Sequence, residues 1–253
     1  CIRRSPGITK TIIETSTWKN TDGLPFISQT EFFLHNYKGK IIWITGTKGK
    51  STISTLTYLT LLHAEKKVLL AGNVGKPIFD QINRNDVPDI VVYEFSSFMI
   101  ESVFTHRTWR KIDIAVLNTL YSTHTKEHWW YKAYVHAKLL LCDHAEQSYI
   151  GYQAKTVLET EFPEYTIPYN VCIYGKHWTF TRSDGQFLKN NETLFSDTWM
   201  VLIWVHNREN ACAVVALCEL LKVDLIHLQE TLKTFKWLEH RLELVWTYHN
   251  IIR

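Results

Sequence analysis

Four short apolar runs, at 41–44, 68–71, 90–93 and 114–117, recur along the first half of the chain, each ending abruptly in polar or glycine residues. Runs of this length rich in Ile and Val read as buried strands. The helix-length segments between them give the strand–helix alternation of a mostly parallel sheet with helices on both faces. Behind the first run, Ile53, Leu56, Leu59 and Leu62 fall at helical spacing, so that strand passes through a turn directly into a helix. Further on, the pattern predicts a helix at 134–141 and shorter strands over 171–203 with a turn at Ser183-Asp184-Gly185. Two more helices are expected at 206–221 and 225–235, and the whole is an α/β fold whose sheet gains an antiparallel extension.

In an open parallel sheet the carboxyl ends of the strands form the ligand crevice. Four clusters should therefore meet there: Gly46-Thr47-Lys48-Gly49-Lys50, Gly72-Asn73-Val74-Gly75, Glu94-Phe95-Ser96-Ser97 and Asn118. The first has the chemistry of a phosphate loop (P-loop). Its glycines let successive backbone N–H groups converge on an anion, and the following helix adds its positive end. Lys50 is a mobile cation for outer phosphates, and the Ser51 hydroxyl suits Mg²⁺. Only a shortened Gly-x-x-Gly-Lys-Ser form is present, because counting back from Gly49 to the usual first glycine lands on Ile44. An ordinary glycine-rich βα turn is the alternative that the motif alone leaves open.

Composition narrows the partners. At 253 residues with 45% hydrophobic and 13% aromatic content, the chain can bury a large core. A net charge of +3 from scattered Lys and Arg leaves no electrostatic footprint for nucleic acid, so bound phosphates are expected on small molecules. Five cysteines without C-x-x-C spacing suggest neither zinc nor a disulfide framework and suit a reducing cytoplasm. No run is long and apolar enough to predict a membrane span. The chain opens on Cys1 and stops in mid-pattern at Arg253, which reads as a piece of a longer protein.

Several further motifs agree in order and spacing: Ser5-Pro6-Gly7-Ile8, Thr30-Glu31-Phe32-Phe33, the loop Thr45 to Thr52, Gly72-Asn73-Val74-Gly75-Lys76-Pro77, Glu94-Phe95-Ser96-Ser97-Phe98, Leu117-Asn118, His124 with Lys138, His206-Asn207-Arg208-Glu209-Asn210, and His240-Arg241. On these the chain resembles the Mur ligase family over nearly its whole length. The Gly-Asn-x-Gly-x-Pro and Glu-x-Ser-Ser-Phe stretches favour its D-glutamate-adding branch over the sister ligases and folylpolyglutamate synthase. The resemblance implies ATP-dependent amide formation through an acyl phosphate, with ATP and Mg²⁺ as cofactors and UDP-N-acetylmuramoyl-L-alanine and D-glutamate as substrates, in a monomer. It implies that Gly46, Thr47, Lys48, Gly49, Lys50, Ser51 and Thr52 hold the ATP phosphates, that Asn207 and Asn210 face the nucleotide near adenine, and that Arg241 reaches its phosphates. Ser51 and Glu94 would ligate a first Mg²⁺. His124 and Lys138, the lysine as a carbamate, would serve a second metal; Asn73, Ser96 and His128 would contact the muramoyl peptide.

By the same resemblance, residues 1–37 are the tail of a UDP-substrate domain, 38–237 the ATP-binding ligase domain, and 238–253 a hinge into a further domain. The chain departs from the family pattern at Thr123 and Lys126, where aspartates are usual, at Trp204 in place of glycine, at Met99 in place of glutamine, and at Lys48 in place of asparagine. The first three keep open a nucleotide-binding module without ligase chemistry. The predicted function is the ligase.

Overall fold

The computed structural model describes residues 2–4, 26–74, 77–82, 86–105, 112–122, 128–176, 178–197, 200, 205–235, 247–248 and 251–252. The chain begins with β1 (Ile2–Arg4), which pairs in parallel with β2 (Phe26–Ser28). Helix α1 (Gln29–Asn36) starts on a capping box: Ser28 Oγ accepts from the Glu31 amide while the Glu31 carboxylate accepts from the Ser28 amide. β3 (Lys40–Thr45) then feeds the loop at 46–49 and α2 (Lys50–His63). β4 (Val68–Gly72), β5 (Ile90–Glu94), α3 (Ser97–Thr105), β6 (Ile112–Leu117) and α4 (His128–Asp143) continue the alternation. β7 (Ala145–Gly151), α5 (Tyr152–Glu161) and β8 (Val171–Tyr174) complete its parallel part. β9 (Phe180–Ser183), β10 (Gln186–Lys189) and β11 (Glu192–Ser196) precede α6 (Val205–Leu221) and α7 (Leu225–Thr234). A short pair, β12 (Thr247–Tyr248) with β13 (Ile251–Ile252), follows.

One nine-stranded sheet carries the site, in the order β11-β10-β9-β8-β7-β6-β3-β5-β4. The pairs from β4 across to β9 are parallel, and the antiparallel pairs β9–β10 and β10–β11 form the extension. The turn expected at Ser183-Asp184-Gly185 is a two-residue hairpin with Asp184 and Gly185 at φ 47° and 77°, and Asn190-Asn191 make a second at 50° and 69°. Paired positive φ angles match the twist of the strands they join, which is why Asp, Asn and Gly occupy them. The chain leaves β3 toward β4 on one side and leaves β6 toward β7 on the other, so the topological switch lies between β3 and β6.

Alternation along the central strands fills two cores. Ile41 and Trp43 of β3, Tyr93 of β5 and Leu117 of β6 face α1, α3 and α4, while Ile42, Ile44, Val92 and Val116 face α2 and α6. Trp43 stacks on Phe95 with ring centroids 4.4 Å apart. Each fully buried aliphatic side chain is worth about 1.5–3 kcal/mol, so this double-sided burial fixes the register of β3 and hence where its loop emerges.

Candidate functional site

The described residues of all four expected clusters meet at the carboxyl edge of the sheet; Gly75 lies outside the described residues. The Asn73 amide donates to the Glu94 carbonyl, Thr45 Oγ1 donates to the Phe95 carbonyl, and Asn118 Nδ2 donates to the Lys48 carbonyl. The loop itself is closed by contacts with the end of β6. The Thr47 amide donates to the Thr119 carbonyl (2.7 Å) and the Lys48 amide to Thr119 Oγ1 (2.9 Å), which leaves the anion cradle to the Gly49–Ser51 end. There α2 begins on Gly49 at φ 80° with no side-chain cap, so its first turn is offered to a ligand. Lys50 Nζ is folded back onto the Gly46 and Thr47 carbonyls at 2.9 and 3.2 Å. Thr52 is half-buried on the first turn of α2.

Glu94, the last residue of β5, is completely buried. Asn73 Nδ2 holds its Oε1 at 3.2 Å, whereas Oε2 has no partner. Among the described residues the other buried unpartnered side-chain atoms are the Trp43 indole nitrogen and three hydroxyls on α2, so Glu94 Oε2 is the one that carries anionic charge. A buried, unpaired carboxylate oxygen is costly unless a cation completes it. Mg²⁺ is commonly held by one or two carboxylates together with substrate phosphates, and Glu94 with the buried Ser51 fits that donor set.

Lys138 projects from α4 and is 1% exposed. Its Nζ donates to Thr45 Oγ1 (3.1 Å) and lies 4.5 Å from the centre of the Tyr134 ring, whose hydroxyl donates to Thr47 Oγ1. Burial brings the Lys138 amine from 10.5 down to about 7; the Lys50 charge adds to the shift and Glu94 opposes it.

On the other side of the loop a cleft of about 710 Å³ is lined by Lys48, Gly49, Asn118, Tyr121, Gly151, Tyr152, Tyr174, Lys176, His206 and Asn210, among others. The start of α6 is fixed there by Asp197, 2% exposed, which pairs with Arg182 at 2.6 Å and Arg208 at 3.5 Å. Asn210 reaches the cleft, while Asn207 is buried one turn earlier and is not among its lining residues. Asn73 is engaged in orienting Glu94, and Ser96 Oγ accepts from the Met99 amide at the start of α3. His124 and Arg241 lie outside the described residues, as do Thr123, Lys126 and Trp204. His128 opens α4, with its side chain outside the description. Sequence reasoning assigned no role to Thr45, Tyr134 or Tyr174. Of these only Thr45, next to the loop, stood where a signal could be read.

Residues 44–218 match the family described as the Mur ligase middle domain. The chain belongs to the Mur ligase family. Members of that family are ATP-dependent ligases. Among curated relatives, the UDP-N-acetylmuramoylalanine–D-glutamate ligase of Macrococcus caseolyticus is 30% identical over 253 residues, covering 96% of this chain and 54% of the relative. The chain thus spans about half the length of the curated relatives it matches. A solved structure of the UDP-N-acetylmuramate–alanine ligase of Thermotoga maritima superposes with a TM-score of 0.67 at 18% identity, over 99% of this chain and 58% of that one. The MurF ligase of Thermotoga maritima, solved in complex with ADP, gives 0.57 at 18% identity, over 89% and 57%. These likenesses show the Mur ligase fold. Among the described residues no helix is long and apolar enough to cross a membrane.

Proposed function

We propose that this chain is the ATP-binding part of a Mur ligase that joins D-glutamate to UDP-N-acetylmuramoyl-L-alanine, and that its middle domain runs over 38–237 between the end of a substrate domain and the start of another. The observation that carries the reading is Glu94. A fully buried carboxylate keeps one oxygen without a partner, at the end of β5 and paired in register with the end of β3, the strand that feeds the loop. The relatives' names supply the substrates.

The residues divide the work by chemistry. Lys50 leaves the two loop carbonyls and turns its ammonium to the outer phosphates, while the Gly49–Ser51 end of the loop and the α2 terminus donate to them. Ser51 and Glu94 hold Mg²⁺. A bound Mg²⁺ there would supply charge compensation for phosphoryl transfer, and the chain's own part is to hold it through Ser51 and Glu94 and to fix the phosphates against the loop. Lys138, with its amine near neutrality, is available for carbamate formation with CO₂ at Nζ and, with His124, for the second metal. Asn210 faces the nucleotide, with Asn207 supporting it from the preceding turn and Arg241 closing on the phosphates. Asn73, Ser96 and His128 stand on the muramoyl-peptide side.

Calorimetry with MgATP, followed by mass spectrometry for the amide after both substrates are added to the gene product read through on both sides, tests the reading. Nucleotide binding with ADP and amide formation dependent on both substrates is expected. Binding without product favours a nucleotide-binding module, and product with a folate substrate instead reassigns the chain to the folylpolyglutamate synthase branch.

A further inference from the structure

Asn118 is the centre of a buried hydrogen-bond chain that neither the loop motif nor the proposed ligand set explains. It is 4% exposed and its amide makes three hydrogen bonds, with both donors used. Nδ2 donates to the Lys48 carbonyl at 3.0 Å and to Asn210 Oδ1 at 2.8 Å, and Oδ1 accepts from the Tyr174 hydroxyl at 2.7 Å. The backbone around it is cut to fit. A Cβ on Gly49 would lie 2.1 Å from Asn118 Nδ2, one on Gly46 3.2 Å from its Cβ, and one on Gly151 2.2 Å from its carbonyl oxygen. Gly151 has φ −67°, which any residue adopts, so its lack of a side chain answers to the close approach of the Asn118 main-chain carbonyl rather than to its own conformation.

An asparagine amide can turn over, exchanging its donor and acceptor ends. Here the turned form would set an oxygen against two acceptors, the Lys48 carbonyl and Asn210 Oδ1, and would take away the acceptor that the Tyr174 hydroxyl now donates to. The Lys48 carbonyl, an acceptor only, excludes the turned form, and on the β8 side the working form is held by Tyr174, 2% exposed, whose phenol is pushed well above its ordinary value by burial and donates to Asn118 Oδ1. The selection passes on. Because Asn210 Oδ1 accepts from Asn118, the Asn210 NH₂ is the end left to serve a ligand in the cleft that the residue lines.

We propose that Tyr174 is a positioning residue for nucleotide binding, acting through Asn118 to hold the Lys48 carbonyl end of the phosphate loop and to orient the Asn210 amide toward acceptor atoms of the nucleotide. This rests on the nucleotide reading above. It goes beyond it by assigning loop geometry to a buried tyrosine 124 positions on from Lys50 (174 less 50).

Two measurements on the 253-residue chain test it. In ¹⁵N-labelled protein without nucleotide, Tyr174→Phe should speed hydrogen exchange of the Asn118 side-chain amide and the Lys48 amide about tenfold or more, while amides in β5 keep their rates. With MgATP as the probe, Tyr174→Phe and Asn118→Ala should each raise Kd about fivefold or more, and the double variant should be no weaker than Asn118→Ala alone, since the tyrosine acts through the asparagine. Unchanged loop exchange in Tyr174→Phe overturns the proposal, and so do multiplicative effects on Kd. If the wild type binds no MgATP, the nucleotide reading falls, and the exchange result alone decides whether Tyr174 anchors the loop.

Discussion

Lys138 Nζ donates to Thr45 Oγ1 across 3.1 Å, so a lysine from the middle of α4 meets the last residue of the strand that feeds the phosphate loop. The contact explains how the lysine's charge state comes to depend on the site: its neighbours there are the Lys50 ammonium and the Glu94 carboxylate, in an environment nearly closed to water.

The first prediction follows from that burial. The folded amine titrates at about 7 against 10.5 for the free group, so between those values the unfolded chain holds a proton that the folded chain lacks. Stability therefore rises with pH across that window, and the penalty is fully present below it. Lys138→Met should flatten the rise and stabilise the chain at pH 7 by about 1–4 kcal/mol, the range seen when buried ion pairs are replaced by well-packed apolar side chains. Urea unfolding at pH 7 and pH 9.5 reads both effects; equal pH slopes for the two proteins would sink the argument.

A second concerns Gly151. A methyl group there meets the Asn118 carbonyl oxygen at 2.2 Å, and backbone cannot swing aside as a side-chain tip can. Gly151→Ala should cost about 1–3 kcal/mol in denaturant unfolding, despite a backbone conformation open to alanine. An alanine variant as stable as the wild type would mean that β7 and the end of β6 separate without cost.

Much of this architecture was legible because its strands are buried on both faces. The runs at 41–44, 90–93 and 114–117 are continuous and apolar for that reason, the run at 68–71 is the partly buried edge strand, and β3, β4, β5 and β6 lie where they fall. β7 escaped notice because its first half, Ala145-Glu146-Gln147-Ser148, is polar; Ser148 is buried only by donating to the Cys142 carbonyl. α5 was equally quiet, as Ala154 and Leu158 are its fully buried residues. α1 carried a readable signal in Ser28-x-x-Glu31, and the Asn190-Asn191 hairpin another. The loop with Lys50 and Ser51 could be read directly. The role of Asn118 could not, since its partners are 70, 56 and 92 residues away in the chain.

A third prediction tests the loop. Lys50 spends its ammonium on the Gly46 and Thr47 carbonyls, bonds it must give up to reach a phosphate. Lys50→Ala removes the cation without touching the core, so the chain should unfold within about 1 kcal/mol of the wild type, as surface changes do. MgATP affinity should fall by about tenfold or more, in line with the 1.5–3 kcal/mol typical of a hydrogen bond to a charged group. Calorimetry giving equal affinities would show that the loop does not bind phosphate.

The last prediction separates metal binding from nucleotide binding. Glu94→Gln is nearly isosteric, and the new side chain can keep its oxygen toward Asn73 Nδ2, preserving the bond now made by Glu94 Oε1. Its NH₂ then occupies the place of the unpartnered Oε2 and turns a donor toward the space where a carboxylate now has nothing to bind. Removing an uncompensated buried charge should leave the fold as stable as before or more so. The consequence for the site is opposite in sign: a neutral amide holds a hard divalent cation poorly, and its hydrogens repel it. In the wild type, ATP affinity measured with and without EDTA should differ about tenfold or more. In Glu94→Gln that difference should nearly vanish, with the metal-free affinity unchanged or higher because the carboxylate no longer repels the phosphates. Should the variant retain the full Mg²⁺ dependence, Glu94 is not the metal's anchor, and its open oxygen must be completed by a group other than the ion.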